Sequence, residues 1–367
     1  MQPLLFDNSP NNVPVPASEG APRSVDDPIA VRPAPLAHDL AAVSAALPPT
    51  VHLGTSSWSF PGWAGIVYAD AASEKDLARE GLRAYAKHPL LRAVGIDKAY
   101  YAPVSEAEFR RLAEQTPPSF RFLVKAFDGV VSPTIRNFSS KRQSPPKPAE
   151  PNPRFLDTAY SIDTVVEPYV RSLGERAGVL VFQFSPLSLR ALGGVGGFLD
   201  RLAAFLSALP RGPAYVVEIR NRELFTTQYR DMLAAVGCGH CYNVHPSMPS
   251  IVKQAELIPI ERRTPTSNTD IPSSAGPIAV RWMLHAGERY ESAREKYAPF
   301  DQLVDEDPHS RAAIADLAKI AAGQERQIIV IVNNKAEGSA PLSCVKLARE
   351  IVGDQRDRGV PPHPPTR

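Results

Sequence analysis

Several apolar runs in this chain end on side chains that can bind or move charge. The set is Ser56, Ser57 and Trp58, then Asp97, Lys125, Gln183, Glu218 with Arg220, Asn243 with His245, Arg281, His285, and Asn333 with Asn334. Residues two apart on a strand share a face, so Glu218 and Arg220 should point together, as should Asn243 and His245. A buried glutamate beside an arginine is most simply a structural pair, because an uncompensated carboxylate is costly to bury. Lys125, Arg220 and Arg281 nevertheless outnumber the nearby carboxylates, which suits an anionic ligand, and arginine favours bidentate contact with phosphate or carboxylate. In such a site the three cations would hold the anion while Glu218 and His285 exchange protons with it as the catalytic pair. Each residue alone reads as structural; their convergence is the evidence.

Convergence requires a scaffold, and the sequence supplies one by repetition. Strand-like runs at 51–55, 91–97, 120–125, 178–184, 214–219, 240–244, 278–283 and 327–332 alternate with helical patterns. Those helices are expected near 77–88, from Ser105 (an N-cap with Glu108 three residues on), and at 158–173, 197–209, 226–236, 249–257, 310–322 and 341–352. Such alternation implies right-handed crossovers and a parallel sheet, and eight repeats favour closure into an α/β (β/α)8 TIM barrel over an open doubly wound sheet. In such barrels the chemistry sits at the carboxyl ends of the strands, where the polar set falls.

Residues 50–352 form the expected barrel. Residues 1–49 read as a Pro-rich disordered arm with a short helix at 38–46, and 353–367 as a disordered tail. Two stretches, 136–157 and 261–276, read as flexible insertions. The first leaves the carboxyl end of the third strand, and its Lys141, Arg142 and Lys147 form either a grip for an anionic partner or a solvated run.

The chain has 367 residues, 43% of them apolar, with 41 basic and 39 acidic residues for a net charge of +2. No global attraction to nucleic acid or membrane is written in that balance. Three cysteines argue against a disulfide framework, no cationic segment leads into an apolar run at the start, and no run is long enough to span a bilayer. A cytoplasmic protein with no membrane partner is expected.

Other motifs are weaker. Cys238-Gly239-His240-Cys241 has oxidoreductase spacing but enters a strand rather than opening a helix, so the thiolate-stabilising dipole is missing. Gly193 to Gly197 could cradle a phosphate or simply connect two elements. His245, His285, Glu218 and Asp97 could in principle ligate a divalent metal, but no pair has metal-ligand spacing, and the sequence requires no cofactor. Trp58 and Trp63 could stack on a sugar or base, or cap the core.

The blocks GTSSWSFPGWAGIVY, GIDKAYYAP, FRFLVKA, GVLVFQFSP, YVVEIR, AVRWMLHAG and IVIVNNKAEGSAP, in that order between residues 54 and 341, resemble the YecE-like TIM-barrel proteins of the domain-of-unknown-function 72 family. The resemblance implies a TIM barrel without an established activity. Carried over position by position, it implies Trp58, Lys125, Gln183, Glu218, Arg220, Arg281, His285 and Asn334 as pocket residues. The chain departs from the family pattern at Ser57, where Gly is usual, and at Gly95 and Asp97, where Glu and Asn are usual. It departs again at Val131-Ser132-Pro133, where a Thr-His pair is usual, so a glutamate and a histidine are gone from the mouth.

Three functions follow as expectations. The first is acid–base chemistry on, or binding of, a small anionic metabolite bearing phosphate or carboxylate. The second is nucleic-acid binding or phosphodiester cleavage, with the Arg/Lys rim tracking the backbone and Trp58 stacking on a base. The third is a non-catalytic ligand-binding barrel.

Overall fold

The computed structural model of the protein describes residues 31–135, 150–260, 276–285 and 288–353. The expected arm at 1–30, most of both insertions with Lys141, Arg142 and Lys147, and the tail from 354 lie outside the described residues. Eight parallel strands close into a barrel in sequence order: β1 Val51–Thr55, β2 Leu91–Ile96, β3 Arg121–Lys125, β4 Ala177–Gln183, β5 Tyr215–Glu218, β6 Gly239–Val244, β7 Ile278–Trp282 and β8 Ile328–Val332. β8 returns to β1 in unbroken register from Val51↔Ile328 to Thr55↔Val332, so the sheet has no free edge.

The strands are apolar because both faces are covered. In β4, Val179 and Val181 point inward and pack with Ala93, Leu123, Val216, Cys241, Ala279, Ile329 and Ile331. Its Phe182 points outward, meeting Phe205 of the helix Gly194–Ser207 edge to face at 5.2 Å. Near-continuous hydrophobic runs are what this two-sided burial selects.

Two features tune the scaffold. At Gly54 the β1–β2 register shifts, and a Cβ there would stand 1.9 Å from the Ala93 carbonyl oxygen, so only glycine permits the approach. At the amino end of the barrel, Arg92 donates to the carbonyls of Ser44, Leu47, Pro48 and Pro89, tying the helix His38–Ala46 to the strand bottoms. Between that helix and the barrel lies a cavity of about 490 Å³, lined in part by His52, His88 and Phe120. It is at the opposite end from the polar set.

The chain also orders segments the sequence pattern left as loop. A helix at Tyr290–Tyr297 follows β7, and a short one at Asp128–Val131 follows β3. Residues 150–157, expected within the insertion, are held: Thr134 bridges Pro151, and the Asn152 amide donates to the carbonyls of Gly129 and Ser132, both at 2.7 Å. The insertion therefore leaves and re-enters at one point beside the mouth. Among the described residues no helix is long and apolar enough to cross a membrane.

Candidate functional site

The inward parity of the barrel core continues upward into a polar layer. Lys125 stands two residues beyond Leu123, Gln183 beyond Val181, Glu218 beyond Val216, Asn243 beyond Cys241 and Arg281 beyond Ala279. All five side chains are buried, at 0–1% exposure. Five of the eight strands thus replace an apolar interior residue with a polar one towards their carboxyl ends, a costly substitution unless the groups satisfy one another.

Arg281 is the hub. From β7 its guanidinium crosses the barrel: Nη1 donates to Gln183 Oε1 at 2.7 Å and Glu218 Oε2 at 2.6 Å, and Nη2 donates to both Asp97 oxygens at 3.0 and 3.2 Å. Arg220, just past β5, pairs with the other Glu218 oxygen. Burial alone would raise the Glu218 pKa; the two guanidinium groups, with Lys125 nearby, overcome it and hold the carboxyl down at about 2. Glu218 is therefore ionised at any ordinary pH. Burial opposes the charge on Arg281 too, but Glu218 and Asp97 hold its pKa above the usual arginine value.

Arg281 Nε and Asn243 Oδ1 have no hydrogen-bond partner among the described residues, and two further groups beside this layer keep unused capacity. Arg220 is 3% exposed, and its Nε and Nη1 have no hydrogen-bond partner among the described residues. The second is His245, one turn of strand past Asn243. Its Nδ1 accepts from the Ser247 amide at 3.2 Å, which leaves the proton on Nε2, and Nε2 is buried without a hydrogen-bond partner among the described residues. Burial first, then the positive charge of Arg220, lowers the His245 pKa to about 2, so the ring is neutral. Unfilled donors of Arg220 and an Nε2–H of His245 are what a buried anion would use.

Lys125 sits with its ammonium 4.0 Å from the centre of the Tyr100 ring. Burial lowers its pKa to about 7, with Asp97 pulling the other way and Arg281 adding to the fall. Tyr100 in turn shares a hydrogen bond of 3.0 Å with Ser185 at the rim. Above this floor Ser57, Asp97, Ser185, His245 and His285 are half-buried and form the solvent side.

The other expected residues take different places. The indole N–H of Trp58 donates to the Leu77 carbonyl at 2.9 Å and the ring belongs to the main hydrophobic core, so Trp58 is wall rather than stacking platform. Asn334 accepts from the Ala340 amide at 2.9 Å, anchoring the start of the helix Ala340–Val352, while its Nδ2 is buried without a hydrogen-bond partner among the described residues. His285 stands three residues past the end of β7, its amide bonded to the Lys335 carbonyl at 2.9 Å, and its charge acts on Asp305. The imidazole that feels Arg220, Glu218 and Arg281 belongs to His245. Lys335, not singled out by the sequence, is buried near the rim with its ammonium 4.3 Å from the Tyr290 ring; burial, then Arg294, lowers its pKa to about 8.

Where the resemblance would place a glutamate, Gly95 faces Ile331 and Ser56, each 3.2 Å from the position of a Cβ. That room is already filled. Cys238 and Cys241 are free, and burial raises both thiols, Cys238 to about 12, the reverse of a reactive pair. No cluster of three metal-ligating side chains occurs among the described residues.

The family described as "Protein of unknown function DUF72" matches residues 52–367. No curated protein matches the chain. Among solved structures, a DUF72 family protein from Enterococcus faecalis V583 is 16% identical with a TM-score of 0.52, over 82% of this chain and 95% of that one. Another, from Thermotoga maritima MSB8, is 18% identical with a TM-score of 0.49, over 82% and 98%. Likeness at this identity speaks for the fold alone.

Proposed function

This chain belongs to the DUF72 family, whose activity is open, and from its site chemistry we propose that the barrel binds a small anionic metabolite, bearing phosphate or carboxylate, at the carboxyl ends of its strands. The observation that carries this reading is the buried guanidinium of Arg220, with Nε and Nη1 both lacking partners among the described residues. A buried cationic donor left open is costly in the absence of a ligand, and a planar fork suits an oxyanion. His245 adds a neutral donor beside it. Arg281, whose two Nη groups are held by Gln183, Glu218 and Asp97, contributes charge and rigidity.

In this reading Glu218 positions the arginines. A carboxyl held near a pKa of 2 has almost no proton to give at neutral pH and little affinity for one, so in this reading the group suited to move a proton is Lys125, lowered to about 7, while neutral His245 serves as a hydrogen-bond donor.

The test is a thermal-shift screen of the full chain against inorganic phosphate, phosphorylated metabolites, dicarboxylates and short oligonucleotides. At 100 times its dissociation constant a ligand stabilises the native state by about 2.7 kcal/mol. A shift with small anions that disappears in Arg220→Ala supports the reading. A shift with oligonucleotides alone, lost at high salt, would replace it by nucleic-acid binding.

A further inference from the structure

We propose that Lys125 is the reactive amine of this site, and that the bound anion also carries a carbonyl group which Lys125 captures as an imine. This inference rests on the anion-binding reading above. Lys125 ends β3 on the inward face, opposite Val181 and one inward position below Gln183, so its side chain enters the polar end of the barrel rather than the helix layer. The Tyr100 ring, Asp97 and Glu218 favour its ammonium, Arg281 and Arg220 oppose it, and complete burial tips the balance towards the neutral amine. Desolvation next to other cations is the physical route by which an enzyme keeps a lysine amine unprotonated near neutral pH.

Proton carriers are also at hand. Tyr100 and Ser185 share a hydrogen bond at the rim, and Asp97, with 12% of its side chain exposed, lies between Arg281 and solvent. The Nζ lone pair would attack the carbonyl carbon and form the C–N bond while the π pair moves to oxygen, which takes a proton. Nitrogen gives up one proton to reach the neutral carbinolamine, which loses that oxygen as water on a second protonation, and nitrogen then releases its remaining proton. The balance is amine plus carbonyl giving imine plus water, with no oxidant or reductant. With its anionic end on Arg220, the substrate would be an oxo acid or a phosphorylated aldehyde or ketone.

Lys335 provides an internal contrast. It too is buried near the rim, but it faces Tyr290 and Phe300, on the side of the helix that follows β7. The experiment incubates the full chain with glycolaldehyde phosphate or pyruvate in the presence of sodium borohydride, whose hydride reduces an imine to a stable amine, and maps the product by peptide mass spectrometry. One reduced adduct at Lys125, suppressed by excess inorganic phosphate, is expected. Lys125→Arg should abolish the adduct; if that variant does not fold, the mapped position in the native chain decides. An adduct on Lys335, adducts scattered over surface lysines, or none at all beside a phosphate shift that depends on Arg220 would overturn the amine and leave the anion site standing. Absence of both adduct and phosphate shift would overturn both.

Discussion

Glu218 shows how far one side chain can be committed by its surroundings. Both of its oxygens are taken by buried guanidinium groups, so Glu218→Gln would leave two arginines with a missing counter-charge in a layer closed to water. Breaking such a pair from one side costs about 3–5 kcal/mol, and equilibrium urea unfolding should record a loss of that order; a near-neutral outcome would mean that water reaches the layer. Lys125 makes a prediction of opposite sense. Its folded-state pKa, about 7, lies below the ordinary 10.5. Between those values the unfolded chain binds the extra proton, so this residue makes stability rise as pH climbs from about 7 towards 10.5. Lys125→Met should therefore be relatively more stable than the native chain at pH 6 than at pH 9. An equal difference at both would show that Lys125 titrates normally. The identity of this polar layer was only half legible beforehand. Position at the carboxyl ends of the strands brought Glu218, Gln183, Lys125 and Arg281 together, but nothing along the chain says that Arg281 reaches across to Asp97, 184 positions away. Nor does it say that His245 stands close enough to Glu218 to feel its charge, which depends on where β6 stops.

At the scale of elements, the eight strands were legible because burial on both faces leaves an almost unbroken apolar run, which polar loops punctuate. The helix Tyr290–Tyr297 was not, since YESAREKY buries only Tyr290, Ala293 and Tyr297 and offers too few apolar positions to set a period. Packing against Leu284 and Phe300 decides it, a contact that local sequence cannot report. Two elements are held by single residues. Gly54→Ala would drive a methyl into the Ala93 carbonyl, with backbone on both sides of the clash, so β1 and β2 could not keep their register. The variant should fail to reach a soluble native state, and a cooperative melt close to that of the native chain would refute the close approach. Arg92→Ala should free the helix His38–Ala46 from the strand bottoms at a cost of about 1–3 kcal/mol. Faster amide exchange confined to residues 38–47 is the expected signature.

Across the molecule, His52, His88 and His240 are buried, and burial lowers each pKa to about 4; His245 falls lower still. The unfolded chain takes up these protons near pH 6.5, so stability should drop as pH falls from about 6.5 to 4, before the Glu218 pair is challenged. Denaturant midpoints measured every half unit through that window test it, and a flat profile would show the histidines to be solvated. The hub at Arg281 has one more consequence. It joins β7 to β2, β4 and β5, so the positive side of the layer lies mainly in the second half of the chain, and two of its hydrogen-bond partners lie in the first. A fragment carrying β5–β8 alone would hold Arg220 and Arg281 against a single Glu218, while one carrying β1–β4 would leave Asp97 and Gln183 without the guanidinium that binds them. Neither half can settle its interior without the other, which makes ring closure a single concerted event and argues that this barrel has no stable semicircular precursor, whether in folding or as a severed pair of polypeptides.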